Sequence, residues 1–506
     1  MNRTAVLSCF FLASAAACHP GLPQSRQTPV VGTQSQSFLP EIPRAWDDRE
    51  VAAFQVPLAQ RDRSPQYLSS KEYYALAVRP IYRTYPVYAP GREPAGYMES
   101  LKQKEPEVTF DASKLRTKED WIRAGEMVFD SSPDPIPVND DGFRAILAGS
   151  NVTTSDGIVP YVRYVIRRKG DGEVDGGRSC AFCHTRALPD GTVLKGAQGN
   201  VPFEQVNAAR ASHVPAEATA AITTLLLNGG WSVFGAPWVK TREEYERTFS
   251  IAEFVHRHGA MQPGVIARHG TSEVSPAKVP SLIGLQDIKY LDSTGLMRHR
   301  SIGDLMRYAA ANYGLDIMAH YGDFQPSPDS TGFAESGTRF SDEQLYALAL
   351  YIYSLKPPPN PNPFNEEARR GQQIFQQQGC DNCHKPPLYT NNKLTPAVGF
   401  QVPADLQRTD DVMSVSVKTD PTLAMQTRRG TGFYKVPSLR GVWYRNAFSH
   451  SGQAETLEEW FNPERLRDDY VPKGFHLGPG PIKGHEFGLK LMPDEKKALS
   501  AFLKTL

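Results

Sequence analysis

Four cysteines and two histidines stand in two matching patterns. Cys180-Ala181-Phe182-Cys183-His184 and Cys380-Asp381-Asn382-Cys383-His384 both read C-x-x-C-H. Two thiols three residues apart can each bond one vinyl-derived arm of a porphyrin. The next His can then ligate iron beneath the ring, which makes the pattern the attachment signature of a c-type haem. Two such sites predict two covalently bound c-type haems, held by Cys180, Cys183, Cys380 and Cys383, with His184 and His384 as metal ligands. A shared zinc ion would need the C-x-x-C pairs close together, and they lie about two hundred residues apart. A redox C-x-x-C has no use for the following His and expects a βαβ context. Each iron keeps one further axial position. Closed by a strong ligand, it carries electrons; left open, it binds peroxide or dioxygen.

The elements that must position these motifs occur twice. Residues 123–129 (RAGEMVF) resemble 369–375 (RRGQQIF), and the segment KVPSL occurs at 278–282 and again at 435–439. Each half ends in a helical pattern, over 342–355 and 494–506, with a Ser or Pro-Asp start and apolar residues at period 3.6. The order helix, C-x-x-C-H, KVPSL, helix predicts a mainly α fold. It consists of two tandem cytochrome c-like haem domains with loop-rich insertions and a few short strands. The expected boundaries are 46–355 for the N-terminal domain, 356–363 for a Pro- and Asn-rich linker, and 364–506 for the C-terminal domain. Residues 46–115, mixed and rich in Tyr and Pro, are expected to wrap the first haem domain. The first half carries extra chain before and after its motif. It includes an alternating strand pattern over 158–168 and a Gly-containing turn over 169–172. Long loops over the first haem point to it as the reaction site, with the shorter half as electron carrier.

Arg3 and the short apolar run 5–17 read as an export signal, too short to span a bilayer. Residues 1–17 are therefore expected to be a signal peptide. Cys18 follows Ala15-Ala16-Ala17, a pattern similar to a bacterial lipobox, so Cys18 is a candidate lipidation site; simple cleavage is the alternative. Residues 18–45, rich in Pro, Gln, Ser and Thr, read as a disordered tether. The chain has six cysteines. Cys9 and Cys18 fall in or beside the signal and the haem motifs use the rest, so no structural disulfide is expected. The location this implies is the bacterial periplasm or the outside of the cell, with membrane contact only through Cys18. A net charge of +1 gives no field for nucleic acid. The expected partners are a small electron-donor protein or a small-molecule or polymer substrate.

The second half reads VPSLRG at 436–441, FSHSG at 448–452 and TLEE at 456–459. Over residues 115–506 the chain resembles the bacterial di-haem cytochrome c peroxidase superfamily, which includes MauG. The long interval between haem motifs and the segment GHEFG at 484–488 look more like the rubber oxygenase branch, whose members cleave a polyisoprene double bond with dioxygen.

The resemblance implies roles for particular residues. His485, in a Gly-flanked loop, is the candidate sixth ligand of the second haem, against the alternative of a surface loop histidine; Met425 is the fallback. His450 is expected near a propionate or the contact between halves. Tyr290 stands where an aromatic bridges the two haems. Where peroxidase relatives place a Gln and a catalytic Glu, this chain has Leu305, Met306 and Arg307. Asp304 and Asp316 are the nearby acids. Tyr290, Leu305 and Met306 are thus the candidate catalytic-pocket residues, with ordinary helix core the alternative for the last two. His299, His213 and His320 are spare candidates, and His256 and His258 read as surface residues. Relatives often hold calcium between their domains; the matching positions near Arg445 and Ala447 lack the expected Thr and Pro, so calcium is left unassigned. The implied functions are peroxide reduction at an open first haem, dioxygen-dependent alkene cleavage, or electron relay without catalysis.

Overall fold

Two helix crossings set the frame. The Lys118–Asp130 helix packs on Asp342–Ser354, and Glu366–Gln377 packs on Pro493–Lys504. Each crossing turns on a glycine. A Cβ on Gly125 would stand 1.9 Å from the Ala347 carbonyl oxygen, and one on Gly371 would stand 1.9 Å from that of Ala498. Only glycine lets two helix backbones approach so closely. An aromatic pair seals each crossing at the matching place, Phe129 on Tyr351 at 5.2 Å and Phe375 on Phe502 at 5.3 Å between centroids. Burying each ring stabilises its crossing by roughly 1.5–3 kcal/mol.

Local chemistry fixes the helix starts. Thr117 and Asp120 exchange side-chain and backbone bonds in a capping box, as do Ser341 and Gln344, and Asn365 caps its helix through the Ala368 N–H. The C-x-x-C-H segments fold as short helical turns, Cys180–Cys183 and Cys380–Asn382.

The computed structural model describes residues 38–506 apart from 132–133, 138–143, 145–146, 149–152, 168–173, 269, 327–336 and 408–410. The expected signal, Cys18 and the turn over 169–172 lie outside the described residues. Residues Phe38–Leu506 form one compact unit. The end of the expected tether belongs to it: the Phe38 N–H donates to Arg116 O, and Ala45 and Trp46 are fully buried. Ordered packing thus begins before residue 46, because the Trp46 indole stacks on Tyr73 and its N–H donates to Leu68 O. Residues up to 115 wrap the first half, and Phe54, Tyr73 and Ile81 share a core with Trp121 and Leu345.

A four-stranded antiparallel sheet in the order Thr84–Tyr88, Ile158–Val165, Asp175–Arg178, Asp134–Pro137 leads into the first motif. Val159, Tyr161 and Val162 of its central strand pack with Phe182 of the motif itself. The remaining sheets have two strands each. The extra chain after the motif folds as helices Phe203–Ser212, Thr219–Phe234, Arg242–Thr248 and Ile251–Gly259. Among the described residues, no helix is long and apolar enough to cross a membrane.

Candidate haem-binding sites

Both motif histidines are aimed the same way. His184 Nδ1 lies 3.1 Å from Pro280 O, and His384 Nδ1 lies 3.0 Å from Tyr389 O, with the Pro437 carbonyl also facing the ring. A carbonyl only accepts, so Nδ1 carries the proton and Nε2 is left as a basic, oriented ligand atom. Pro280 and Pro437 are the prolines of the two KVPSL segments. Burial, helped by Arg268, pushes His184 down to about 4, and burial also lowers His384. Both are thus neutral imidazoles, the form that binds metal.

The KVPSL segments cross between halves. Lys278 N–H donates to His450 O at 3.1 Å, and Lys435 N–H donates to Ser293 O at 3.0 Å. Ser293 and His450 stand equally far along the chain from their own KVPSL lysine, so the exchange is reciprocal.

Cys380, Cys383 and His384 line a cavity of about 300 Å³, at the lower end of ligand-site volumes of roughly 300–1,000 Å³. His485 lines it as well, its ring centre 6.3 Å from that of His384. Two imidazoles on one metal, each through a bond of about 2 Å, put their ring centres roughly 6 Å apart, so this pair fits a haem iron between them. His485 Nδ1 is buried without a hydrogen-bond partner. Burial, then the neighbouring His384, pushes His485 down to about 4. Its loop is tightly held. Gly484 has φ +74°, and a Cβ there would stand 2.3 Å from the Lys418–Thr419 backbone. The fully buried Arg465 donates to the carbonyls of Ile482, Gly484 and His485, and the His485 N–H donates to Val417 O.

Lys278, Lys435, Arg445, His450 and His485 all lie deep in the protein but are only partly covered, because they line this cavity, and His184 is likewise deep and partly covered. Burial and the repulsion of Arg445 and Lys435 push Lys278 down to about 7. Burial and Arg445 push Lys435 down to about 8 against the pull of Asp292.

At the first motif, Cys180 Sγ lies 2.9 Å from Tyr313 Oη. Tyr313 sits in a wide helical turn, Ala311–Leu315, which breaks the helix line at Gly314 with φ +109°. Behind this turn Arg429 pairs with Asp292 at 2.5 Å and Asp316 at 3.1 Å, and it bonds Asn312, which Arg268 also reaches.

The expected pocket residues are spread apart. Leu305 and Met306, 2% and 0% exposed, lie in the apolar core with Trp46 and Trp121. Tyr290 packs with Leu394 and Phe433, and its hydroxyl donates to Asp411 Oδ2 at 2.8 Å, a contact from the first half to the second. Asp304 is fully buried and paired with Arg300 and Arg307. Burial pushes its pKa up, but these partners hold it below the usual carboxylate range.

Several expectations change. His258, read as a surface residue, is 3% exposed. Its Nδ1 lies 2.7 Å from Glu204, with Glu273 at 3.7 Å from Nε2, so two carboxylates compensate its buried charge. His256 is exposed. His299 has both ring nitrogens engaged, by Ile288 O and the Tyr353 hydroxyl, which leaves none for iron. His213 is exposed and bonds Ala209 O, and His320 is exposed. Met425 packs with Ala397, Leu423 and Tyr434 rather than lining the cavity. The methionine that does line it is Met413, its sulfur 4.0 Å from Cys383 Sγ. Nothing in the spacing of Met413 marked it. Tyr313 had one signal, an aromatic beside Gly314 inside a helical pattern. His450 lies in the cavity wall, stacked on Tyr434 at 4.3 Å.

No family model and no curated protein matches the sequence. Solved structures similar to it include a hydrazine synthase from Kuenenia stuttgartiensis, a MauG-like protein associated with microbial copper homeostasis, and a di-haem peroxidase variant from Burkholderia thailandensis. Two of these neighbours are of the MauG and di-haem peroxidase kind. Each is 17% identical, with TM-scores of 0.28, 0.30 and 0.26. The matches cover 56%, 58% and 63% of this chain and 88%, 91% and 91% of theirs. Likeness at that level assigns no residue a role.

Proposed function

We propose that this chain is an exported di-haem c-type oxidoreductase that takes electrons in through the Cys380–His384 haem and reacts with peroxide at the Cys180–His184 haem. The observation that carries this reading is the facing pair His384 and His485 across the cavity of the second motif. His384 and His485 would hold one iron between them, which would suit that site to electron transfer.

When bound, the haems would supply one-electron redox chemistry and, at the first site, a place for the oxidant to react. The residues of the chain orient and enclose them. Pro280 O and Tyr389 O fix the proximal rings. Tyr290 stands at the junction of the halves, its hydroxyl on Asp411 and its carbonyl accepting from Lys435 Nζ at 3.2 Å, which suits it to a path between sites. Export, and lipidation at Cys18, belong to the same proposal and rest on the N-terminal sequence.

A second reading, dioxygen-dependent cleavage of an apolar alkene such as polyisoprene, has its own support. Asp292 and Asp304 are both tied to arginines and held ionised, which suits neither to deliver a proton for splitting an O–O bond.

Electron paramagnetic resonance of the purified protein should give one high-spin and one low-spin ferric haem. His485→Ala should turn the low-spin signal high-spin. Two low-spin signals in the unmodified protein would sink both enzyme readings, and an unchanged spectrum in His485→Ala would refute that ligand. Turnover of peroxide with a reduced donor, against products from polyisoprene under dioxygen, chooses between the two chemistries.

A further inference from the structure

The cavity at Cys380–His384 has a lopsided wall. Four cations line it, Lys278, Lys435, Arg440 and Arg445, and among the described residues no carboxylate does. Three of them lie deep: Arg440 is exposed, whereas Lys278, Lys435 and Arg445 are only partly covered and face the void. Arg445 spends its Nη atoms on the carbonyls of Ser438 and Arg440, and its Nε is buried without a partner. Buried cations that face one another are unfavourable unless an anion compensates them. A c-type haem brings two carboxylate arms, on an edge of the ring away from the vinyl arms that bond cysteine. Lys278 also comes from the other half of the molecule, anchored by the KVPSL segment whose Pro280 orients His184.

We propose that Lys278, Lys435 and Arg445 form the seat of the two carboxylates of the group held at Cys380, Cys383, His384 and His485. Lys278 makes that seat shared between halves. The seat rests on the reading of a haem at the second motif. It adds that the charge state of this haem is set by a residue belonging to the first. Loss of a seat cation favours the oxidised haem, and it also frees a carboxylate to take up a proton. The other titratable or charged groups facing the seat include His450, Tyr434 and Arg440 in the wall, Tyr444 beside Arg445, Asp292 behind Lys435, and Asp420 behind His450.

The test is a spectroelectrochemical titration of the low-spin haem in the holoprotein. Lys278→Met and Lys435→Met should each shift its redox equilibrium about tenfold toward the oxidised form, or 59 mV for one electron. Lys278→Arg should restore it. In the unmodified holoprotein the seated carboxylates should hold both lysines charged and keep the potential flat from about pH 5 to pH 8, and the double Met variant should acquire a pH dependence there. Single variants that leave the potential unmoved, or a double variant that stays pH-independent, would overturn the seat. Where a variant does not fold, amine labelling of the unmodified holoprotein decides. Lys278 and Lys435 should resist a reagent that modifies surface lysines, and labelling at the surface rate would overturn the proposal. Haem stoichiometry separates the layers: one haem per chain defeats the underlying reading, whereas two haems with an unmoved potential defeat the seat alone.

Discussion

The two halves share a frame and differ in what hangs on it. Both cross their helices at a glycine with a carbonyl 1.9 Å from where a Cβ would be, and both hold the motif histidine by a backbone carbonyl. In the second half, a loop pinned by Gly484 and Arg465 brings His485 to face His384. In the first, a broken helix brings Tyr313 to Cys180, and an inserted set of helices buries Glu204, His258 and Glu273. Backbone contact fixes the frame and leaves little room for change, whereas the loops above it are free to set the chemistry.

Substitutions at the crossings test the shared part hardest. Gly125→Val and Gly371→Val should each cost about 3 kcal/mol or more, because the facing atoms are backbone and cannot yield. Chemical denaturation of the two variants should give losses of similar size. Tolerance at one site alone would break the equivalence of the halves.

The inserted helices should respond to pH on their own. Burial lowers His258, but its hydrogen bond to Glu204 and the nearby Glu273 carboxylate more than offset this and lift it to about 9. Its ordinary value is about 6.5. The stabilisation is therefore full below about pH 6.5 and is lost as pH rises through about 9, amounting to about 3 kcal/mol. Hydrogen exchange of the Phe203–Ser212 and Ile251–Gly259 helices should accelerate over that range, while the Glu366–Gln377 helix keeps its protection relative to them. Glu204→Ala should remove the effect and cost about 3 kcal/mol at neutral pH. An insert equally protected at both ends of the range would contradict the charged pair.

The smallest effect lies at the helix starts. Thr117→Ala and Asn365→Ala each remove one cap and should lower stability by about 1 kcal/mol. Thermal melts should show the two losses alike, and a clear inequality would show that one crossing depends more on its cap than the other.

What was legible in the sequence follows the same division. The repeated helices were readable because period, caps and crossing glycines all act locally: the expected 342–355 and 494–506 became Asp342–Ser354 and Pro493–Lys504. The strand expected over 158–168 became Ile158–Val165. His485 comes to face His384 through the Gly-flanked loop that was visible in the sequence, and its role as a ligand belongs to the proposal. His258 was misread because its chain neighbours are polar, while Glu204 and Glu273, which bury it, are remote in sequence. KVPSL was visible as a repeat, but not the exchange that carries each lysine to the opposite half. Met413 and Tyr313 reach their cysteines through tertiary approach, which no spacing rule records.

The wall around Cys380 and Cys383 also implies an order of events. It is built from the 278–288 segment, synthesised well before the motif, and from residues 434–461 and 485–503, synthesised after it. A ring wide enough to meet both cysteines must be in place before these remote strips close over it. On the proposed reading, covalent attachment would belong to the open chain, and folding would then lock in what has been attached. A chain that closed early would shut such a cofactor out, and the rate of folding would then compete with the supply of haem.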